Sequence, residues 1–152
     1  MQHDATHAGE RKVVTRAGLL DTSVVILLSR LRDPAVLPAV PLISSVTLAE
    51  LSVGPLVART DAERAARRAV LQQAEADFDP LPFDGRAARA FGRVASSLRT
   101  SRRTVKARSD GAMVAAIATA NDLPLYTANP DDFVGIDGLD VRPVSVPTTS
   151  ER

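Results

Sequence analysis

Apolar and polar positions divide the chain into short β-branched or leucine-rich runs and longer stretches with helical spacing. Val13-Val14 and Ala17 to Leu20 read as a first, buried strand ending on Asp21-Thr22-Ser23. Val24 to Leu28 follows as a helix that Asp21 to Ser23 can cap and Asp33-Pro34 ends. Pro41 to Ser45 predicts a second strand, and Thr47-Leu48-Ala49-Glu50 has the spacing of a capping box opening the next helix. Thr60-Asp61-Ala62-Glu63 is a second such box. It opens a long helix through Ala76 with a stripe of Ala62, Ala66, Ala69, Val70 and Ala74.

Phe78 to Phe83 holds two prolines, which suits an edge strand or an irregular connection. Asp84 caps a helix from Gly85 to about Leu98, with Phe91, Val94, Ala95 and Leu98 on one face. Ser109-Asp110 opens a helix from Gly111 to Ala120 with hardly a polar side chain, so it is buried on nearly every side. Leu123 to Thr127 is another buried strand, Ala128 to Phe133 a turn with a short helical piece, and Leu139 to Val144 a final strand. This alternation predicts an α/β fold with a mostly parallel central sheet and helices on both faces.

The 152 residues suit one domain with a real core. Residues 1–16 read as a flexible polar tail holding both histidines, 17–145 as the folded domain, and 146–152 as a second flexible tail. Aromatics are only 3%, so the core is packed from Ala, Val, Leu and Ile. There is no cysteine, which excludes disulfides, thiolate zinc sites and cysteine nucleophiles and fits a cytoplasmic protein. No apolar run is long enough for a membrane span. The net charge of +1 does not by itself predict a polyanionic partner. The local run Arg99, Arg102, Arg103, Lys106, Arg108 holds no acid and reads either as a solvated connection between helices or as a contact for a phosphate backbone.

The acids carry the candidate chemistry. Asp21, Glu50, Asp110 and the pair Asp131/Asp132 each follow a predicted strand or open a helix. Each also has an ordinary reading: helix cap for Asp21 and Asp110, capping box for Glu50, turn chemistry for Asp131/Asp132. In a parallel sheet, however, all strand ends of one sense share an edge. Carboxylates gathered there repel one another unless a cation binds. Oxygen donors without His or Cys select Mg²⁺ or Mn²⁺ over zinc, and such ions activate water against phosphate esters.

Leu-Leu-Asp21-Thr-Ser, Thr47-Leu-Ala-Glu50-Leu, Asp110 before Ala115-Ala-Ile-Ala118, and Leu123-Pro-Leu-Tyr-Thr127-Ala-Asn129-Pro-Asp-Asp132-Phe133 resemble the PIN-domain ribonucleases. The similarity is closest to VapC-type toxins of bacterial toxin–antitoxin pairs. The resemblance implies a three-layer α/β/α sandwich and a homodimer. It also implies Mg²⁺- or Mn²⁺-dependent endoribonuclease activity and a cognate antitoxin. Carried over by position, Asp21, Glu50 and Asp110 form an acidic triad and Asp132, rather than Asp131, is the fourth acid. Asp21 and Asp110 would hold the primary ion, with Glu50 and Asp132 orienting water or binding a second. Thr22 and Ser23 would support Asp21, with Thr127 and Asn129 beside Asp132. Gly111 stands where the family has a bulkier residue, which predicts a looser helix start at Asp110.

Two other readings compete. A catalytically silent PIN-like module would bind RNA or protein. An aspartate-based phosphotransferase would use Asp21 as nucleophile, but a haloacid-dehalogenase-like pattern needs an acid where Ser23 stands. A receiver domain needs a late lysine, and the last one is Lys106.

Overall fold

The computed structural model describes residues 16–100 and 109–145. Val13-Val14, the tail assignments (Arg16 apart) and Arg102, Arg103, Lys106 and Arg108 lie outside them. Among the described residues, four strands form one parallel sheet: β1 (Ala17–Leu20), β2 (Val40–Leu42), β3 (Leu125–Thr127) and β4 (Val141–Pro143), ordered β2-β1-β3-β4. Five α-helices accompany it: α1 (Thr22–Leu27), α2 (Ser45–Val53), α3 (Asp61–Asp77), α4 (Gly85–Thr100) and α5 (Ser109–Ala120). The Phe78–Phe83 segment contributes only a parallel bridge between Ser44 and Leu81, since its prolines cannot donate to a ladder.

Strand alternation separates two cores. Leu19 and Leu125 point into one with Ala87, Ala90 and Val94 of α4 and the buried residues of α5. Leu20 and Tyr126 point into the other with Val24 and Val25 of α1, Leu51 of α2 and Ala74 of α3. A strand's successive side chains face opposite ways, so each leucine of the Leu19-Leu20 pair anchors a different helical layer. The result is a three-layer α/β/α sandwich. Val114 and Ile117 of α5 are shielded from solvent, each contributing about 1.5–3 kcal/mol by burial.

Gly18 of β1 leaves no room for a side chain. A Cβ built there would lie 2.5 Å from the Tyr126 ring and 3.0 Å from Pro38. A side chain at this point would drive β1 and the ring apart. Gly111, by contrast, has ordinary room beside Phe133 (3.8 Å) within α5.

Two expectations change. In α3 the alanines Ala62, Ala66 and Ala69 are exposed, and burial is confined to the C-terminal half, at Val70, Leu71 and Ala74. The N-terminal half packs instead on the turn Gly54–Val57, where Arg67 donates to the Gly54 carbonyl at 3.0 Å. The second change concerns α2. Its N-cap is Ser44, whose hydroxyl accepts from the Thr47 amide at 3.1 Å, so Thr47 lies inside the helix. Glu50 is a turn further on and does not complete a capping box.

Candidate active site at the sheet switch point

The chain leaves β1 for β2 on one side and later returns through β3 on the other. Such a reversal opens a crevice beyond the carboxyl ends of the two inner strands, where α/β proteins bind ligands. Asp21 ends β1 and Thr127 ends β3. The Thr127 hydroxyl donates to Asp21 Oδ2 at 2.5 Å, across 106 positions of sequence.

Asp21 is 7% exposed. It is the N-cap of α1, and its Oδ1 accepts from the Val24 amide at 3.2 Å. The cap reading is borne out, and the same carboxylate stands at the carboxyl end of β1. Ser23 also donates to Oδ1. Both supporting hydroxyls are themselves held by the loop after β3. The Ala128 amide donates to Ser23 Oγ at 3.0 Å, and the Asn129 amide to Thr127 Oγ1 at 3.0 Å. Fixed backbone donors thus set the hydroxyls, and the hydroxyls set the carboxylate.

Thr22 does not support Asp21 as the sequence suggests. Its Oγ1 lies 2.8 Å from Glu50 Oε1 and 3.0 Å from Thr47 Oγ1. A hydroxyl carries one proton and a carboxylate only accepts, so Thr22 donates to Glu50 and accepts from Thr47. Ser44 Oγ lies 3.4 Å from Thr47 Oγ1. The protons then run one way: Ser44 to Thr47, Thr47 to Thr22, Thr22 to Glu50. Ser44 and Thr47 are fully buried, so water does not compete. Neither was singled out as a site residue from sequence. The signal was Thr47 three positions before Glu50, which the capping-box reading absorbed.

Glu50 and Asp110 line one cleft of about 360 Å³, with Ser45, Val46, Ala49, Val53 and Met113. Asp110 sits half-buried in the first turn of α5, where a carboxylate complements the helix dipole. Asp132 is half-buried in the turn Pro130–Phe133, ahead of the buried Phe133, while Asp131 and Asn129 are exposed. Of the predicted basic contacts, Arg99 is described and exposed at the end of α4.

The structure thus joins Asp21 to Thr127 and Ser23, Glu50 to Thr22, and Glu50 to Asp110 through the shared cleft. Asp21 and Asp132 do not line that cleft. Among the described residues, no three acidic or imidazole groups stand close enough together to form a ready-made cation site. The donors present are all oxygens, which fits a hard divalent cation in kind.

A parallel sheet with this switch point and an acid at the end of its first strand defines an α/β protein with a ligand crevice beyond its inner strands. The PIN-domain family model matches residues 18–139, and the chain belongs to that family. Within it the chain stands with the VapC-type proteins. It is 43% identical over 124 residues to ribonuclease VapC5 of Mycobacterium tuberculosis, covering 80% of this chain and 89% of that protein. The crystal structure of the toxin–antitoxin system VapBC-5 from the same organism superposes with a TM-score of 0.73 at 39% identity. That match covers 85% of this chain and 99% of the other. VapBC2 from Rickettsia felis, solved with a DNA fragment from its promoter, reaches 0.68 at 17% identity over the same shares, a likeness of fold alone.

Proposed function

We propose that this protein is a Mg²⁺- or Mn²⁺-dependent endoribonuclease and the toxin of a toxin–antitoxin pair. The observation that carries the reading is the bond from Thr127 to Asp21 across the switch point, with the next residue, Thr22, bonded to Glu50. The relative at 43% identity is named a ribonuclease, and the neighbour at 39% belongs to a toxin–antitoxin complex.

Asp21 and Asp110 are the residues that would hold the cation. When bound, such an ion offsets carboxylate repulsion and polarises phosphate oxygens. Glu50, aimed by the hydroxyl chain, takes a proton from the attacking water, and Asp132 helps to orient that water. Val46, Ala49, Val53 and Met113 give the cleft an apolar wall. Val53, Leu56 and Val57 are 51%, 83% and 62% exposed, an apolar surface of the kind a protein partner covers. A cognate antitoxin is that partner in this reading, and the active form is a homodimer.

The test is cleavage of RNA with and without EDTA, beside Asp21→Asn and Asp110→Asn. Activity is expected to vanish in EDTA and to fall by at least about 10²-fold in each variant, the scale of a lost catalytic or charge-stabilising group. Full activity in either variant removes the assignment. The spacing of the acids favours, as a second reading, a silent binding module. Calorimetric titration with Mn²⁺ separates the two, since no uptake of the ion leaves only the module. A phosphotransferase is disfavoured because Ser23 stands where a haloacid-dehalogenase-like pattern needs its second acid, and because no lysine follows Lys106.

A further inference from the structure

We propose that the outward face of α4 is the track along which the RNA backbone approaches the cleft; this rests on the ribonuclease reading above. Arg86, Arg89, Arg93 and Arg99 are all exposed on this helix, which carries no acidic residue. Residues 85–109 hold eight basic side chains and no acid, so the rest of this nearly neutral chain is net acidic. The contrast with α3 is instructive. There Asp61, Glu63, Glu75 and Asp77 accompany Arg64, Arg67 and Arg68, as on an ordinary solvated helix. Ion pairs among the described residues form at Arg64–Asp61 and Arg142–Asp140, and none involves an arginine of α4. Arg86, Arg89 and Arg93 follow one another at three- and four-residue steps, which places them on one face.

The spacers point the same way. Gly92 sits in mid-helix, exposed, and a Cβ added there would meet nothing within 4 Å. Glycine weakens a helix interior relative to alanine, and no packing contact calls for it here. Its effect is an open stretch of helix backbone between Arg89 and Arg93 that a ligand can approach closely. The face also leads to the right place. Arg86, at the start of α4, donates to the carbonyl of Ala120 at the end of α5, so the packed helices run antiparallel. The Arg99 end of α4 therefore lies beside the Asp110 end of α5. The Asp137 amide meets Ser97 Oγ at 3.4 Å, tying that end to the segment after the Asp132 turn. Phosphate contacts of this kind bind without reading sequence.

The experiment measures binding of a mixed-sequence single-stranded RNA oligonucleotide by fluorescence anisotropy in EDTA, over a range of salt. For single strands each phosphate contact contributes about 0.7 to the slope of log affinity against log salt. Arg89→Gln with Arg93→Gln is expected to flatten the slope by about 1.4, which at about 0.1 M salt is roughly a 25-fold weaker complex. Gly92→Glu should weaken binding with helix content retained by circular dichroism. Arg59→Gln with Arg68→Gln, an equal charge change around α3, should leave the slope alone. An unchanged slope in the α4 pair, or an equal loss in the α3 pair, overturns the proposal. So does displacement of the RNA by polyglutamate as readily as by polyuridylate, which would assign the face to an acidic protein. If the wild type cleaves RNA and the α4 pair changes nothing, the track is wrong and the ribonuclease stands. If the arginines bind RNA and no cleavage occurs, the track stands and the ribonuclease falls.

Discussion

Replacing Thr47 by valine keeps the side chain's shape and removes its hydroxyl at a site with no solvent exposure. Two contacts go: the bond to Thr22 at 3.0 Å and the weaker one from Ser44 at 3.4 Å. A net hydrogen bond is worth about 1 kcal/mol, and the longer contact less, so a stability loss of about 1–2 kcal/mol is expected. For a chain of this size that lowers Tm by roughly 2–8 °C. The catalytic effect has a different origin. Without Thr47 the Thr22 hydroxyl loses the hydrogen bond it accepts, so its own bond to Glu50 loses cooperative strengthening and its rotamer is less firmly held. A hydrogen bond to a charged group is worth about 1.5–3 kcal/mol, and losing the lower part of that misaims Glu50 by about tenfold in kcat. Single-turnover cleavage of an RNA oligonucleotide reads kcat apart from KM, which should stay near wild type because Thr47 touches no substrate. Thr47→Ser restores the hydroxyl and should recover most of the rate. Equal impairment in the serine and valine variants would mean that the methyl group, and so packing, was responsible. A wild-type kcat in Thr47→Val at reduced Tm would refute the one-way chain altogether. As a further check, Thr22→Val and Thr47→Val should be strongly non-additive, because both interrupt one path.

Gly18→Ala forces a methyl to within 2.5 Å of the Tyr126 ring; overpacking of this kind costs about 1–3 kcal/mol, measured as a lower urea midpoint with unchanged m-value. Asp132→Asn is expected to lower RNA cleavage by about 10²-fold or more, while Asp131→Asn leaves it unchanged, because Asp131 is exposed and Asp132 is turned partly inward; the reverse order in the same cleavage assay would transfer the role to Asp131.

Much of this protein was legible before any coordinates. Apolar periodicity set the order of strands and helices and marked α5 as buried all round. Local chemistry marked Asp21 and Thr60 as caps, and both are observed. These signals are short-range: a cap or an apolar face depends on residues within about a turn of one another. The acids were visible as candidates for the same reason, since each stands at the end of an element. Where two local readings competed, sequence had no way to choose. Ser44 and Thr47 both cap helices well, and the choice of Ser44 moved Glu50 out of the box. In α3, alanine is compatible with burial or exposure, so the stripe held at Val70 and Ala74 and failed at Ala62, Ala66 and Ala69.

Only the tertiary structure decided that β3 lies against β1, putting Thr127 onto Asp21, and that Thr22 turns from its neighbour toward Glu50. It alone joined Glu50 to Asp110 in one cleft and left Asp21 outside its walls. The physical reason is the range of the forces involved. Periodicity records which side of an element is dry. A hydrogen bond between hydroxyl and carboxylate reaches about 3 Å, and when its partners are a hundred residues apart, it comes into being only once the packed layers have brought the strand ends together.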